Sequence, residues 1–147
     1  MSRKLIAAVL AVVAATGVVV ATATAGSAAT TANVPCASNV LSSMGNGNFA
    51  YVPASLAQST NCYLIQGNGG SGVSALQMAL RDCNDHAGIA VDGSFGPATK
   101  SAVVTFQSNR ARLDGLTVDG VYGVNTRNVM AFPSVTTSTG FCGLPGF

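Results

Sequence analysis

The chain has 147 residues, with seven Lys or Arg, five Asp or Glu, one His, four Cys and no Trp. That length holds one modest domain with short flanks and excludes a catalytic domain joined to a separate binding module. Arg3 and Lys4 sit at the very start. The other bases (Arg81, Lys100, Arg110, Arg112, Arg127) are balanced by Asp82, Asp85, Asp92, Asp114 and Asp119, so the body of the chain offers no footing for nucleic acid or acidic lipid as a partner.

Arg3 and Lys4 lead into an apolar run from Leu5 to Val20, and Ala21 to Ala25 then alternates Ala with Thr. Residues 1–25 read as a secretory signal peptide, with Ala23-Thr24-Ala25 the first cleavage signal and Ser27-Ala28-Ala29 the second. The run is shorter and richer in small residues than a spanning helix, which takes roughly 20 apolar residues. The mature chain is therefore expected to begin near Gly26 or Thr30, outside the cell or on its wall, with no membrane segment left. Cys36, Cys62, Cys83 and Cys142 all follow the leader. Four cysteines in a short exported chain predict two disulfides, with three connectivities open. A zinc set is opposed by the spacing, since Cys-x-x-Cys is missing and His86 is the lone histidine.

Residues 26–61 are rich in Ser, Ala, Asn and Gly; Val40-Leu41 and Phe49–Val52 show no sustained period, so an irregular segment is expected. Ser71–Cys83 carries Val73, Leu76, Leu80 and Cys83 at helical spacing, with Ser71 as N-cap. Pro97–Asn109 is the second predicted helix. Pro97 fits its first turn, where a missing N–H costs nothing, and Ala102, Val103 and Phe106 face inward. Asn125 to about Phe132 is the third, with Val129 and Met130 inward and Pro133 as its end. The expectation is an all-α domain of three short helices over residues 62–133, followed by an irregular tail, 134–147.

The connections between helices repeat one phrase. Ile89-Ala-Val91-Asp92-Gly93-Ser-Phe95-Gly96-Pro97-Ala-Thr99-Lys100 returns as Leu116-Thr-Val118-Asp119-Gly120-Val-Tyr122-Gly123-Val-Asn125-Thr126-Arg127. A match in residue type at so many positions in register marks an internal repeat. In each copy an Asp carboxylate can accept backbone N–H groups two residues on, and the next Gly takes positive φ. Phe95 and Tyr122 would anchor the turns, and Gly96 and Gly123 would let backbone pass closely. Asp92, Gly93, Gly96, Asp119, Gly120 and Gly123 are thus read as structural turn residues.

From Cys62 to about Phe132 the sequence resembles the peptidoglycan-binding domain of the three-helix type, which accompanies many bacterial cell-wall hydrolases. The resemblance is carried by an ordered set. It begins with Leu64, Gly67, Gly72 and Val73-x-x-Leu76-Gln77-x-x-Leu80, then Val91-Asp92-Gly93-x-Phe95-Gly96-Pro97-x-Thr99. It continues with Ala102-Val103-x-x-Phe106-Gln107 and ends with Leu116-x-Val118-Asp119-Gly120-Val121-x-Gly123-x-x-Thr126. Arg110 to Asp114 stands where the pattern has Gly after the second helix, and Val124 where Pro is common. The resemblance implies peptidoglycan, glycan strand or stem peptide, as the partner. Cys62 and Cys83 stand as in exported actinobacterial versions, which supports a Cys62–Cys83 bridge; the Gly67–Gly72 loop would let the chain turn back along the first helix. Cys36 and Cys142 would then tie head to tail.

Other constellations carry less. Gly67-Asn-Gly69-Gly70-Ser-Gly72 spells the dinucleotide-binding pattern but lacks the βαβ unit that pattern needs. Asp92 and Asp119 could be imagined as a glycosidase acid pair, yet their identical turn roles argue against the unequal environments such pairs require. His86 has no evident nucleophile to serve, and oxidised cysteines supply none. No catalytic residue, cofactor or metal is therefore expected. For recognition of wall polymer, residue type and placement near helix ends single out Gln77, Arg81, Tyr122, Asn125 and Arg127, although Gln77 can equally satisfy backbone groups and Tyr122 can equally pack in the core. The resulting expectation is an exported, non-catalytic peptidoglycan-binding protein. An accessory or inhibitory protein contacting a wall hydrolase, and a wall hydrolase with unrecognised catalytic residues, stand as alternatives.

Overall fold

The computed structural model describes residues 34–45, 47–137 and 140–146. The predicted signal peptide, residues 1–25, lies outside them. The architecture is not all-α. An antiparallel hairpin, β1 (Ser38–Gly45) and β2 (Asn48–Ala54), precedes three helices, α1 (Ser71–Cys83), α2 (Pro97–Asp114) and α3 (Val124–Val129). A second small antiparallel pair comes after them, β3 (Phe132–Pro133) with β4 (Cys142–Gly143). The segments read as irregular on either side of the helices are thus the strand-forming parts of the molecule.

Strand alternation explains the hairpin. Ala50, Val52 and Ala54 point inward and are fully buried, while Phe49 and Tyr51 on the other face stay exposed. Val40 lies opposite Val52, Leu41 opposite Tyr51 and Ser43 opposite Phe49. The buried face packs on α1, and small residues let the two elements approach. At Gly72, in the first turn of α1, an added Cβ would run into the backbone oxygens of Cys36 and Ser38. A single buried cluster then joins the hairpin's Ala50 and Val52 to Leu76 and Leu80 of α1, Val103 and Phe106 of α2, and Leu64, Phe95, Tyr122, Met130 and Phe132. The hairpin is part of the core rather than an appendage.

The disulfides connect differently from the expected Cys62–Cys83 and Cys36–Cys142. Cys36 bonds Cys62, and Cys83 bonds Cys142. The cause is backbone pairing ahead of the hairpin. The Cys36 amide donates to the Tyr63 carbonyl (2.9 Å), and the Tyr63 amide donates to the Val34 carbonyl (3.0 Å). That pairing brings Cα36 to 5.2 Å from Cα62. Cys83, at the end of α1, meets the returning tail instead, with Cα83 and Cα142 5.7 Å apart. Both flanks of the helical segment are pinned to the body, each by its own bridge.

The helices also differ from expectation at their ends. Gly70, not Ser71, is the N-cap of α1. α2 continues through Arg110–Asp114 to Gly115, which closes it in the left-handed region at φ 66° with its amide on the Ala111 carbonyl. Glycine takes that backbone without a Cβ penalty. α3 is shorter than predicted and stops at Val129, because Phe132 and Pro133 pair with the tail.

Candidate functional site

Each copy of the repeated phrase folds into the same hydrogen-bonded knot around a buried glutamine. In the first, Gln77 Nε2 donates to Asp92 Oδ1 (2.8 Å), the Ser94 carbonyl (3.0 Å) and Thr99 Oγ1 (3.1 Å). Its Oε1 accepts the Gly93 amide (2.9 Å), and Asp92 Oδ1 also accepts the Ser94 amide (2.9 Å). In the second, Gln107 Nε2 donates to Asp119 Oδ1 (2.9 Å), the Val121 carbonyl (2.9 Å) and Thr126 Oγ1 (3.1 Å). Gln107 Oε1 accepts the amides of Gly120 (2.8 Å) and Asp119 (3.1 Å), and Asp119 Oδ1 accepts that of Val121 (2.8 Å). Gly93 and Gly120 both sit at φ 72°, the positive-φ conformation that the turn demands. Gly96 and Gly123 play another part than expected. They are the extended N-caps of α2 and α3, and a Cβ at either would meet open space.

The knots fix the helices, and the helices present clefts. One, of about 370 Å3, is walled by Asp85, His86, Ala87, Gly88 and Ile89 on one side and by Ala98, Ser101, Ala102 and Thr105 of α2 on the other. A neighbouring cleft of about 180 Å3 shares Asp85 and adds Asn84, Phe106, Asn109 and Arg110. Positions 98, 101, 105 and 109 recur at helical spacing, so α2 offers one polar, small-residue face along both clefts. His86 Nε2 is enclosed there with no hydrogen-bond partner among the described residues. Asp85, shared by both clefts, holds φ 63°, a left-handed backbone that Asp tolerates better than most residues. Arg110 reaches the Val129 carbonyl (3.1 Å), pairs with Asp114 (3.6 Å) and lies over the Phe106 ring. A third cleft, about 190 Å3, lies at the second knot and includes Thr117, Asp119 and Asn125.

The residues singled out from sequence fall in unlike places. Gln77 is buried and its amide is committed to the first knot. Tyr122 is fully buried, its hydroxyl has no hydrogen-bond partner among the described residues, and burial pushes that hydroxyl's pKa far up. Arg127 is 7% exposed and donates from Nη1 to the carbonyl and hydroxyl of Thr60 (both 2.8 Å); burial lowers its pKa, opposed by the neighbouring Tyr122. Arg81 is exposed and grips Asp82 through Nε (2.6 Å) and Nη2 (3.0 Å), which raises its pKa. Asn125 is exposed at the third cleft. Only Arg81 and Asn125 of the five are open to solvent, and Arg81 lines none of these clefts. The groups around Asp85, His86, Ser101, Thr105 and Asn109 had no motif to mark them; their one sequence signal is the polar spacing on α2.

Among the described residues no three His, Cys, Asp or Glu side chains gather as a metal site would need. No solved structure matches the chain. The Zinc D-Ala-D-Ala carboxypeptidase of Streptomyces albus G is 41% identical over 73 residues, a stretch that covers 46% of this chain and 27% of that protein. The chain thus spans about a quarter of that relative. The segment from Gly69 to Met130, which holds both knots and all three helices, matches the family model "Putative peptidoglycan binding domain" over residues 69–130.

Proposed function

We propose that this chain is a secreted, non-catalytic protein that binds peptidoglycan through the clefts along α2. The observation that carries the reading is the family match over residues 69–130, a stretch in which both repeated knots are fully bonded. The α2 clefts suit such a polymer: they are shallow, mixed in character and furnished with Asp85, Ser101, Thr105 and Asn109. A few convergent polar groups on an apolar floor are the usual make-up of a binding cleft. Two disulfides and the leader-like N-terminus support an oxidising, extracellular setting.

The carboxypeptidase relative favours a second reading, in which the chain acts on the wall. One experiment separates the two. Purified sacculi are incubated with the disulfide-intact chain, pelleted, and the supernatant is assayed for released muropeptide, D-alanine and reducing sugar. Retention in the pellet with no release is the expected result. Release of any of these would establish the enzyme reading, and a chain that stays in the supernatant would end the binding one.

A further inference from the structure

We infer that the outer face of the β1–β2 hairpin is a second glycan-binding surface, separate from the α2 clefts, on which neighbouring sugars stack against Phe49 and Tyr51. This inference rests on the wall-binding reading above. It concerns residues outside the matched segment 69–130.

Strand geometry puts Leu41, Ser43, Phe49 and Tyr51 on one face, because Leu41 lies opposite Tyr51 and Ser43 opposite Phe49. The three apolar members are exposed: Leu41 by 50%, Tyr51 by 43% and Phe49 by 36%. The aromatic pair is two residues apart on one strand, hence about 7 Å apart, close enough for one glycan strand to lie across both rings. Beside Tyr51 a cleft of about 210 Å3 opens, lined by Met78, Pro133, Ser134 and Val135 and bordered by Asp82. An acetamido methyl would find apolar wall there, while the Ser134 hydroxyl is taken up by Asn48 and Thr136.

Charge decides the occupant. From Leu5 to Leu80 the chain has no Asp, Glu, Lys, Arg or His, so the face is electrically neutral, and Asp82 at the cleft's edge is engaged by Arg81. The N-acetylated sugars of a wall glycan are neutral as well wherever the lactyl carboxyl is amide-linked to a stem peptide, whereas the stem peptides themselves carry carboxylates and amines. A lipid surface is disfavoured, since interfacial patches draw on Lys and Arg. A second copy is also disfavoured. Three exposed apolar side chains fall far short of the roughly 800 Å2 per partner that a stable interface takes. Strand-to-strand pairing is partly blocked too, as the Val135 amide occupies the Phe49 carbonyl (2.8 Å) on one edge and the Gly146 amide occupies the Ser43 carbonyl (2.8 Å) on the other. Among the described residues the face, not the edge, is left open, and aromatic rings with an apolar flank are suited to the C–H faces of sugars.

The chain has no Trp, which makes Tyr51→Trp a built-in reporter on an exposed position. The disulfide-intact Tyr51→Trp chain is titrated with a hexamer of β-1,4-linked N-acetylglucosamine and with glycan strands freed of stem peptide. A saturable shift of its emission is expected with both, and no shift with free stem peptide. In parallel, Phe49→Ser/Tyr51→Ser should weaken binding to freed glycan by about tenfold or more with its unfolding midpoint unchanged. The inference is overturned if the Tyr51→Trp emission ignores both glycans. It is equally overturned if the emission responds to protein concentration alone, as for a self-associating face, or to phosphatidylcholine vesicles. If wild-type chain pellets with sacculi while the emission is silent, this surface alone fails. If wild type does not pellet at all, the wall-binding reading fails first.

Discussion

The two knots share all but one of their bonds, the Asp119 amide on Gln107 Oε1, and differ in what holds them from outside. The first, around Gln77, is pinned to the glycine loop. The Gly67 amide reaches the Phe95 carbonyl (3.0 Å), the Phe95 amide reaches the Asn68 carbonyl (2.9 Å), and the Gly70 amide reaches the Gly93 carbonyl (2.9 Å). The second, around Gln107, is clipped by a single bridge in which Leu64 and Tyr122 exchange amide and carbonyl bonds (2.8 and 3.0 Å). It carries in addition a buried tyrosine and an arginine tied to Thr60. α2 grows from the first knot to 18 residues and α3 from the second to only six. The repeated phrase therefore specifies a turn and a helix start. Helix length is set further along the chain, by Gly115 for α2 and by the Phe132–Pro133 strand pairing for α3.

The comparison breaks first at the glutamines. Gln77→Ala or Gln107→Ala strands several buried partners at once. Each loss should cost about 3 kcal/mol in urea unfolding, with Gln107→Ala the costlier because its Oε1 accepts one more amide. A near-zero cost at either position would show that the knot is ornamental there. Next comes the outer tie of the second knot. Arg127→Met removes charged hydrogen bonds to Thr60 and should cost about 2 kcal/mol, loosening the 55–61 segment in hydrogen exchange while the first knot keeps its protection. Tyr122→Phe runs the other way. Its hydroxyl is buried and has no hydrogen-bond partner among the described residues, so removal should be neutral or stabilising by up to about 1 kcal/mol. A clear destabilisation would reveal a partner for that hydroxyl.

The smallest effect is a pH response. Asp92 is held below its ordinary value by the Gln77 hydrogen bond and then by the Ser94 amide. A group whose folded pKa is depressed contributes stability that is present above its unfolded pKa and is lost as pH falls through the folded one. Wild type should therefore lose unfolding midpoint below about pH 4, and Asp92→Asn should flatten part of that fall. An identical acid limb in both proteins would contradict the role given to this carboxylate.

Much of this was legible in the chain. The Asp-Gly turns, the start of α2 at Pro97 and the apolar faces of α1 and α2 arise from turn chemistry and helical spacing. The glutamines were legible too, but as a pattern read one copy at a time. Val73-x-x-Leu76-Gln77 and Val103-x-x-Phe106-Gln107 repeat as surely as the turns do. A buried amide that bonds a turn 12 or 15 residues away shows only when both copies are set side by side. The hairpin was hidden by Ser, Ala and Asn on strands whose inward residues are small, because Ala50 and Ala54 carry little apolar signal. Asn46-Gly47 between the strands was the available cue, a dipeptide typical of tight hairpins. The disulfide pairing was not legible, since it depends on Cys36 being carried to Tyr63 by backbone bonds that leave no mark on side-chain pattern. The polar face of α2 shows how a cleft escapes notice: Ser101, Thr105 and Asn109 read as ordinary solvated positions until a loop stands opposite them.

The most direct test of wall binding through the α2 clefts is a saturation curve on purified sacculi, run with wild type and with Ser101→Trp. Ser101 is exposed on α2 and lines the cleft that faces His86, so an indole there fills the space without disturbing the core. Wild type is expected to bind saturably and Ser101→Trp to lose about tenfold or more, at an unchanged unfolding midpoint. Folded wild-type chain that fails to pellet with sacculi, or a Ser101→Trp chain that binds as tightly as wild type, would contradict wall binding through the α2 clefts.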